Sequence, residues 1–317
     1  VCMSEARFEI TPYIREIGRG KEGARSLTQV DAEKLFLAIL EGQVSDLQLG
    51  AVLIALRVKG ESVDELIGCM NAVEKTGPIA SNPALQALAD YSKARQKPVV
   101  VIPSYNGARR KPNFTPFMAG LLAKAGYPVL VHGLDEEITG RVTTNSIFPL
   151  MDWRAAGIEV QPVFMPLRTL HPGLERLMRI REVLGVRNVA HTLVKLLVPR
   201  SFDNSVLITS YTHPEFWELQ RQVLSALGKT ALVLRGHEGE AVASPYRVPR
   251  MDGVKHSSTW CLHEGETGFS EQPDPKPDIS AEATAKLSLQ WLKDSANMPH
   301  GFLAQLKAVE QVVDAKV

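Results

Sequence analysis

The stretch from Thr28 to Gly77, TQVDAEKLFLAILEGQVSDLQLGAVLIALRVKGESVDELIGCMNAVEKTG, carries three helix signatures in succession. Thr28 opens T-x-x-D with Asp31, then Leu35, Phe36, Ile39 and Leu40 recur at helical spacing up to Gly42. Ser45 opens S-x-x-Q with Gln48, followed by Leu49, Val52, Leu53 and Leu56, and Gly60 ends it. Ser62 opens S-x-x-E with Glu65, followed by Leu66, Met70 and Val73, and Gly77 ends it. Each hydroxyl can accept a backbone N–H of the first turn, and the residue three places on can reach back to the cap. Each glycine offers the left-handed conformation in which helices commonly end. This stretch predicts a small helical domain.

Beyond Pro78 the texture changes. Short β-branched runs, Val99–Ile102, Val129–Val131, Val206–Thr209 and Ala231–Leu234, alternate with helical patterns such as Phe117–Ala125 and Glu215–Leu227. Apolar strands separated by helices predict a mainly parallel sheet covered on its faces. Thr212-His213-Pro214-Glu215 follows a strand, and its proline suits the first turn of a helix. Residues 272–280 hold three prolines and read as a loop. The fold class expected is α/β, with a small N-terminal helical domain and a larger α/β domain. A chain of 317 residues fits two domains, and its apolar fraction of 44% excludes general disorder.

Cys2, Cys69 and Cys261 are scattered and form no C-x-x-C, so no disulfide framework is expected. No basic segment followed by an apolar one stands at the start, and the longest apolar runs are far shorter than the roughly 20 residues of a membrane helix. A soluble cytoplasmic protein with no membrane partner is expected. His237, His256, Cys261 and His263 match no common metal spacing, and Ser104, Ser210 and His213 lack a nucleophile-elbow context.

The net charge is only +1, so electrostatic information lies in its segregation. Residues 165–200 carry Arg168, Arg176, Arg179, Arg181, Arg187, Lys195 and Arg200 against Glu175 and Glu182. Residues 104–127 carry Arg109, Arg110, Lys111 and Lys124 with no acid. Such clusters either solvate helix faces or neutralise the phosphates of a nucleic acid. Arg176, Arg179 and Arg187 share a helical face if the helix is continuous through Gly185. Arg19, Lys21 and Arg25 either extend a basic groove or solvate a helix end. Arg57 and Lys59 sit where cations suit a helix C-terminus.

Leu40-Glu41-Gly42-Gln43-Val44-Ser45-Asp46, followed by Ala55-Leu56-Arg57-Val58-Lys59-Gly60-Glu61, resembles the helical domain of the anthranilate phosphoribosyltransferase and pyrimidine-nucleoside phosphorylase superfamily. The resemblance implies a helical domain hinged to an α/β domain, with homodimerisation through the N-terminal helices. The boundaries expected are 1–77 for the helical domain, joined by helices from 165–197, and 78–317 for the α/β domain. It further implies a glycine-rich G-T-G-G-D loop after the first strand, whose bare amides cradle pyrophosphate. Here that loop reads Pro103-Ser104-Tyr105-Asn106-Gly107. Asn113, Phe114 and Thr115 match the N-[IF]-S-T opening of the next helix, and His132-Gly133 survive from K-H-G-N. Ser104, Asn106, Gly107, Asn113, Thr115 and His132 are therefore the residues of a residual phosphate site. In the family's R-T-x-F-N-x-L-G-P segment Arg187 is retained, but Gly-Pro has become Val194-Lys195. The family holds magnesium partly through an adjacent Asp-Glu. Here Ala241 and Val242 stand in that place, unless a shifted register brings in Glu238 or Glu240.

The departures resemble the YbiB-type TrpD-like proteins. Ile17-Gly18-Arg19-Gly20-Lys21 with Ala24-Arg25, Ile102-Pro103-Ser104-Tyr105-Asn106-Gly107-Ala108-Arg109, and Gly185-Val186-Arg187-Asn188 with Ala190-His191-Thr192-Leu193 carry this likeness. It implies sequence-independent binding of DNA or RNA in place of phosphoribosyl transfer, with no catalytic residue, metal or cofactor. The expected contacts to backbone phosphates are Arg168, Arg176, Arg179, Arg181, Arg187, Lys195, Arg109, Arg110 and Lys111. Tyr105 either packs over the vacated cradle or offers a face for base stacking. The alternative is an active pentosyltransferase of unknown acceptor, which would need Mg2+.

Overall fold

A computed structural model describes residues 8–20, 22–77, 82–136, 140–267 and 277–316. Lys21 and most of the proline-rich 272–280 segment lie outside them. In chain order the helices are α1 (Thr11–Ile17), α2 (Gln29–Leu40), α3 (Asp46–Lys59), α4 (Val63–Thr76) and α5 (Pro83–Arg95). Then come β1 (Val99–Pro103), α6 (Thr115–Lys124), β2 (Val129–Gly133), α7 (Thr144–Ile147) and β3 (Val163–Pro166). Four short helices follow: α8 (Leu167–Leu170), α9 (Pro172–Arg179), α10 (Arg181–Leu184) and α11 (Ala190–Leu193). The chain ends with β4 (Ser205–Tyr211), α12 (Pro214–Ala226), β5 (Ala231–Arg235), β6 (Met251–Lys255), β7 (Ser258–His263), α13 (Ala281–Lys293) and α14 (His300–Asp314).

The chain forms two compact units. One comprises Val1–Pro78 with Arg168–Leu197, and the other Ile79–Leu167 with Val198–Val317. In the helical unit the three N-caps form as the sequence predicts. Thr28 accepts the amide of Asp31, while Ser45 with Gln48 and Ser62 with Glu65 close full capping boxes. Glu65 does more than cap: it is buried, and its carboxylate accepts the amide of Leu27 at 2.9 Å and the Lys59 ammonium at 2.7 Å. Lys59 also reaches the carbonyl of Gly60 at 2.6 Å, so it closes its own helix end. Gly42 and Gly60 have positive φ, as expected of terminal glycines. Gly77 does not; it is extended at φ −62°, ψ 149°. The proline that follows drives its predecessor out of the helical region, so Pro78 and not a left-handed turn ends α4.

The second unit is built on one seven-stranded sheet of order β3-β2-β1-β4-β5-β6-β7. The first five strands are parallel, and β6 and β7 add antiparallel neighbours. β1 and β2 are buried throughout, which explains their unbroken apolar runs. Helices α6, α13 and α14 close one core, where Phe117, Trp291 and Phe302 meet with ring centroids 4.6–5.7 Å apart. The sequence reading did not register β3, β6 or β7. β6 carries Asp252 and Gly253 in MDGVK, and β7 has no fully buried residue, so neither shows a strand's apolar signature. The arrangement is α/β with a helical N-terminal portion, and the carboxyl ends of its parallel strands gather the loops after β1, β2, β4 and β5.

Candidate functional site

Strand order reverses between β1 and β4, and ligands of open parallel sheets bind outside such a point. The loop after β1 lies there, and its amides already have anionic partners. The N–H groups of Asn106 and Gly107 donate to one carboxylate oxygen of Glu240 at 2.8 and 2.6 Å. Those of Arg109 and Arg110 donate to Glu238 Oε2, both at 3.1 Å. The Asn106 side-chain amide donates to the Glu238 carbonyl. A run of amides converging on anionic oxygen is the geometry that receives phosphate, and charge-assisted bonds of this kind are about twice as strong as neutral ones. Here two side chains of the chain itself supply the anions.

Local backbone makes the closure possible. Glu238 adopts φ +54° and Gly239 φ +85°, folding residues 236–240 back on themselves. A Cβ at Gly239 would come within 2.7 Å of the Asn106 amide nitrogen. The left-handed turn at Glu238 costs about 1 kcal/mol, which its two N–H bonds offset. Gly133, retained in His132-Gly133, has a comparable reason: a Cβ there would lie 1.7 Å from the carbonyl oxygen of Ser104.

The six residues of the expected phosphate site come together at this strand edge, but all are buried. The Ser104 hydroxyl pairs with that of Thr144 at 2.6 Å, and Asn113 Nδ2 donates to the same Thr144 oxygen at 3.0 Å. Asn113 Oδ1 accepts the amide of Thr115 and so starts α6. His132 is wholly enclosed. Ser104, Asn106, Gly107 and Asn113 thus hold protein groups instead of facing solvent. Tyr105 is 8% exposed, so its ring packs inside and presents no stacking face.

Both carboxylates are engaged by backbone amides. Glu238 Oε2 and Glu240 Oε1 each accept two N–H groups, and Ala241 and Val242 are apolar and buried. The shifted register that would have restored a metal pair is used for loop closure. Among the described residues, no three His, Cys, Asp or Glu side chains are grouped to hold a metal ion.

His237 lies beside this closure with its ring 6.2 Å from that of Phe114. Burial, and then the charge of Lys111, push its pKa down to about 4, so it is neutral at pH 7.

The basic residues divide by duty. Arg109 and Arg110 are exposed and Lys111 half-exposed, on a loop whose backbone the two glutamates fix. In the helical unit Arg168 and Arg176 are exposed. Arg176 nonetheless donates to the carbonyl of Ile39 at 2.6 Å, at the end of α2. Arg179 binds the buried Glu175 at 2.8 Å and stands 3.9 Å from Glu182. Arg181, Arg187 and Lys195 are half-buried. The single face imagined for Arg176, Arg179 and Arg187 is broken, because Gly185 at φ +72° ends α10 before Arg187 is reached. Beside them the buried ring of His191 is pushed down to a pKa of about 3, first by burial and then by Arg187 and Arg181. The duty of Arg176 was invisible in sequence, because Ile39 lies 137 residues away, whereas Arg179 and Glu175 stand at the four-residue spacing of a helical ion pair.

Residues 11–77 match the glycosyl transferase family helical bundle domain. The chain is 38% identical over 302 residues to the uncharacterized protein YbiB of Escherichia coli K12, covering 92% of this chain and 91% of that one. It is 27% identical over 261 residues to the anthranilate phosphoribosyltransferase of Lactococcus lactis IL1403, covering 78% and 73%. Among solved structures, anthranilate phosphoribosyltransferase from Thermus thermophilus superposes with a TM-score of 0.67 at 22% identity, covering 93% of this chain and 86% of that one. The Saccharomyces cerevisiae enzyme in complex with PRPP and Mg gives 0.63 at 16%, covering 98% and 94%. The architecture is that of anthranilate phosphoribosyltransferase, and the chain belongs to the YbiB family.

Proposed function

We propose that this protein binds the backbone phosphates of DNA or RNA without sequence preference and does not transfer phosphoribosyl groups. The observation that carries the second half is the closure of the β1 loop. An incoming diphosphate would have to displace two resident carboxylates, each already on two amides, with no metal pair to compensate. The first half is supported by charge segregated on a nearly neutral chain: Arg168, Arg181, Arg187 and Lys195 in one unit, and Arg109, Arg110 and Lys111 in the other. Lysines and arginines that neutralise phosphates release condensed counterions, which gives affinity without a base code. We further propose a cytoplasmic homodimer through the N-terminal helices. On α3, Leu47 is 86% and Val58 76% exposed, an apolar surface that a second copy would cover. No described helix is long and apolar enough to cross a membrane.

The test is a salt titration of binding to single-stranded and duplex DNA and to RNA of unrelated sequences, run beside calorimetry with a phosphoribosyl diphosphate donor and magnesium. The expected result is a steep salt dependence shared by all sequences and no heat at millimolar donor. Magnesium-dependent donor binding would reinstate the transferase reading, and absent nucleic-acid binding at low salt would remove the present one.

A further inference from the structure

In the α/β unit a cavity of about 610 Å³ opens at the carboxyl ends of β4 and β5, within the range of small-molecule sites. Its wall belongs to segments other than the closed loop residues 103–107. Tyr211 and Arg235 end the two strands, Lys111 comes from the segment after the closed loop, and Pro214 and Trp217 come from the first turn of α12. Val248 and Pro249 complete an apolar side.

The charges in this wall do not cancel. Lys111, Arg235, Arg247 and Arg250 face Glu264 and Glu266. Two of the cations are committed. Arg250 grips Asp252 and Glu264, and Arg247 donates twice to the carbonyl of Glu266, at 3.0 and 2.8 Å. The carboxylate of Glu266 accepts the amide of Val248 at 2.9 Å. Lys111 and Arg235 have no hydrogen bond or ion pair from their side chains among the described residues. His237 lines the same cavity, and its Nε2 is buried without a hydrogen-bond partner among the described residues. The Trp217 indole is fixed by its N–H on Asp252 at 2.7 Å and lies within 4.6 Å of the guanidinium carbons of Arg221 and Arg250.

We propose that this cavity binds a phosphate monoester on a ring-bearing body, the chemistry of a nucleoside 5′-monophosphate. Lys111 and Arg235 face the dianion, and the Pro214, Trp217, Val248 and Pro249 side packs the body. The phosphate belongs either to a free nucleotide or to the phosphorylated end of a strand. The proposal goes beyond nonspecific backbone binding and does not require it.

The experiment is calorimetric titration of the full chain with adenosine 5′-monophosphate, adenosine and inorganic phosphate, repeated on Arg235→Met and Lys111→Met. The monophosphate is expected to bind saturably, adenosine at least tenfold more weakly, and each substitution is expected to cost at least fivefold. No saturable monophosphate binding at millimolar concentration, equal affinity for adenosine, or indifference to both substitutions overturns the proposal. Competition identifies the source. Displacement by a 5′-phosphorylated tetranucleotide but not by its 5′-hydroxyl form assigns a strand end, and displacement by neither assigns a free nucleotide. Equal displacement by both overturns it, since phosphodiesters would then suffice. Arg235→Met is expected to leave binding of long 5′-hydroxyl duplexes unchanged, which separates failure here from failure of the backbone-binding reading.

Discussion

The loop after β1 and the segment 168–197 both concentrate groups that attract anions, yet they meet that attraction differently. In the loop the attracting groups are backbone amides, and Glu238 and Glu240 satisfy them from the opposite side of the strand edge. In the helical segment they are side-chain cations, of which Arg176 holds the carbonyl of Ile39 and Arg179 the carboxylate of Glu175. A nest of amides is small and rigid, so two carboxylates close it. A spread of long cationic side chains is too dispersed for one or two acids to neutralise. A nest of backbone amides can thus be satisfied by carboxylates of its own chain without a change of backbone shape.

The comparison breaks most readily at Glu240. Glu240→Ala leaves the amides of Asn106 and Gly107 without an acceptor in a buried place, and about 3 kcal/mol of stability is expected to go. Glu240→Gln keeps an acceptor and should lose about a third of that. Denaturant unfolding of the two variants checks this, and an Ala variant as stable as the parent would mean that the carboxylate closes nothing. In the helical segment, Arg179→Ala should cost about 2 kcal/mol by the same measurement, because it strands the buried carboxylate of Glu175; the figure is discounted for the third of the Arg179 side chain that is exposed. Nucleic-acid affinity should move less than stability in that variant.

Reversing charge at Arg168 and Arg187 together should act on binding. Affinity for all sequences is expected to fall about tenfold, with a shallower salt slope. Unchanged binding would remove the segment from the interface. Stability should also respond to pH. His191 and His237 titrate near 3 and 4 in the folded chain, below the 6.5 of a free imidazole. The unfolded chain therefore binds more protons below pH 6.5. The stability held by these neutral rings is complete above that pH and is lost as pH falls toward 4 and then 3. About 3 kcal/mol, roughly half from each ring, should disappear between pH 6.5 and 5, and His191→Gln should flatten the curve in that window if buried neutrality is its cause.

What could be read in advance follows the reach of each interaction. Thr28, Ser45 and Ser62 announce their helices because a cap and its partner lie three residues apart. The four runs announce β1, β2, β4 and β5 because burial on both faces keeps apolar residues contiguous at their centres. β7, half-exposed along its length, had no such signature. At the site, the sequence showed that the amides of the β1 loop had lost their glycines. It did not show that Glu240, more than 130 residues on, would take their hydrogen bonds.

The sequence by itself determined the helical domain, the parallel sheet and the family, since caps, periodicity and contiguous motifs are local and survive in one dimension. Only the tertiary structure decided which charges are committed. Arg176 meets Ile39 and Glu238 meets Arg109 because helices and strand ends bring them within hydrogen-bond distance, and no spacing along the chain encodes that approach. A charge becomes a binding group or a structural one according to its neighbours in space.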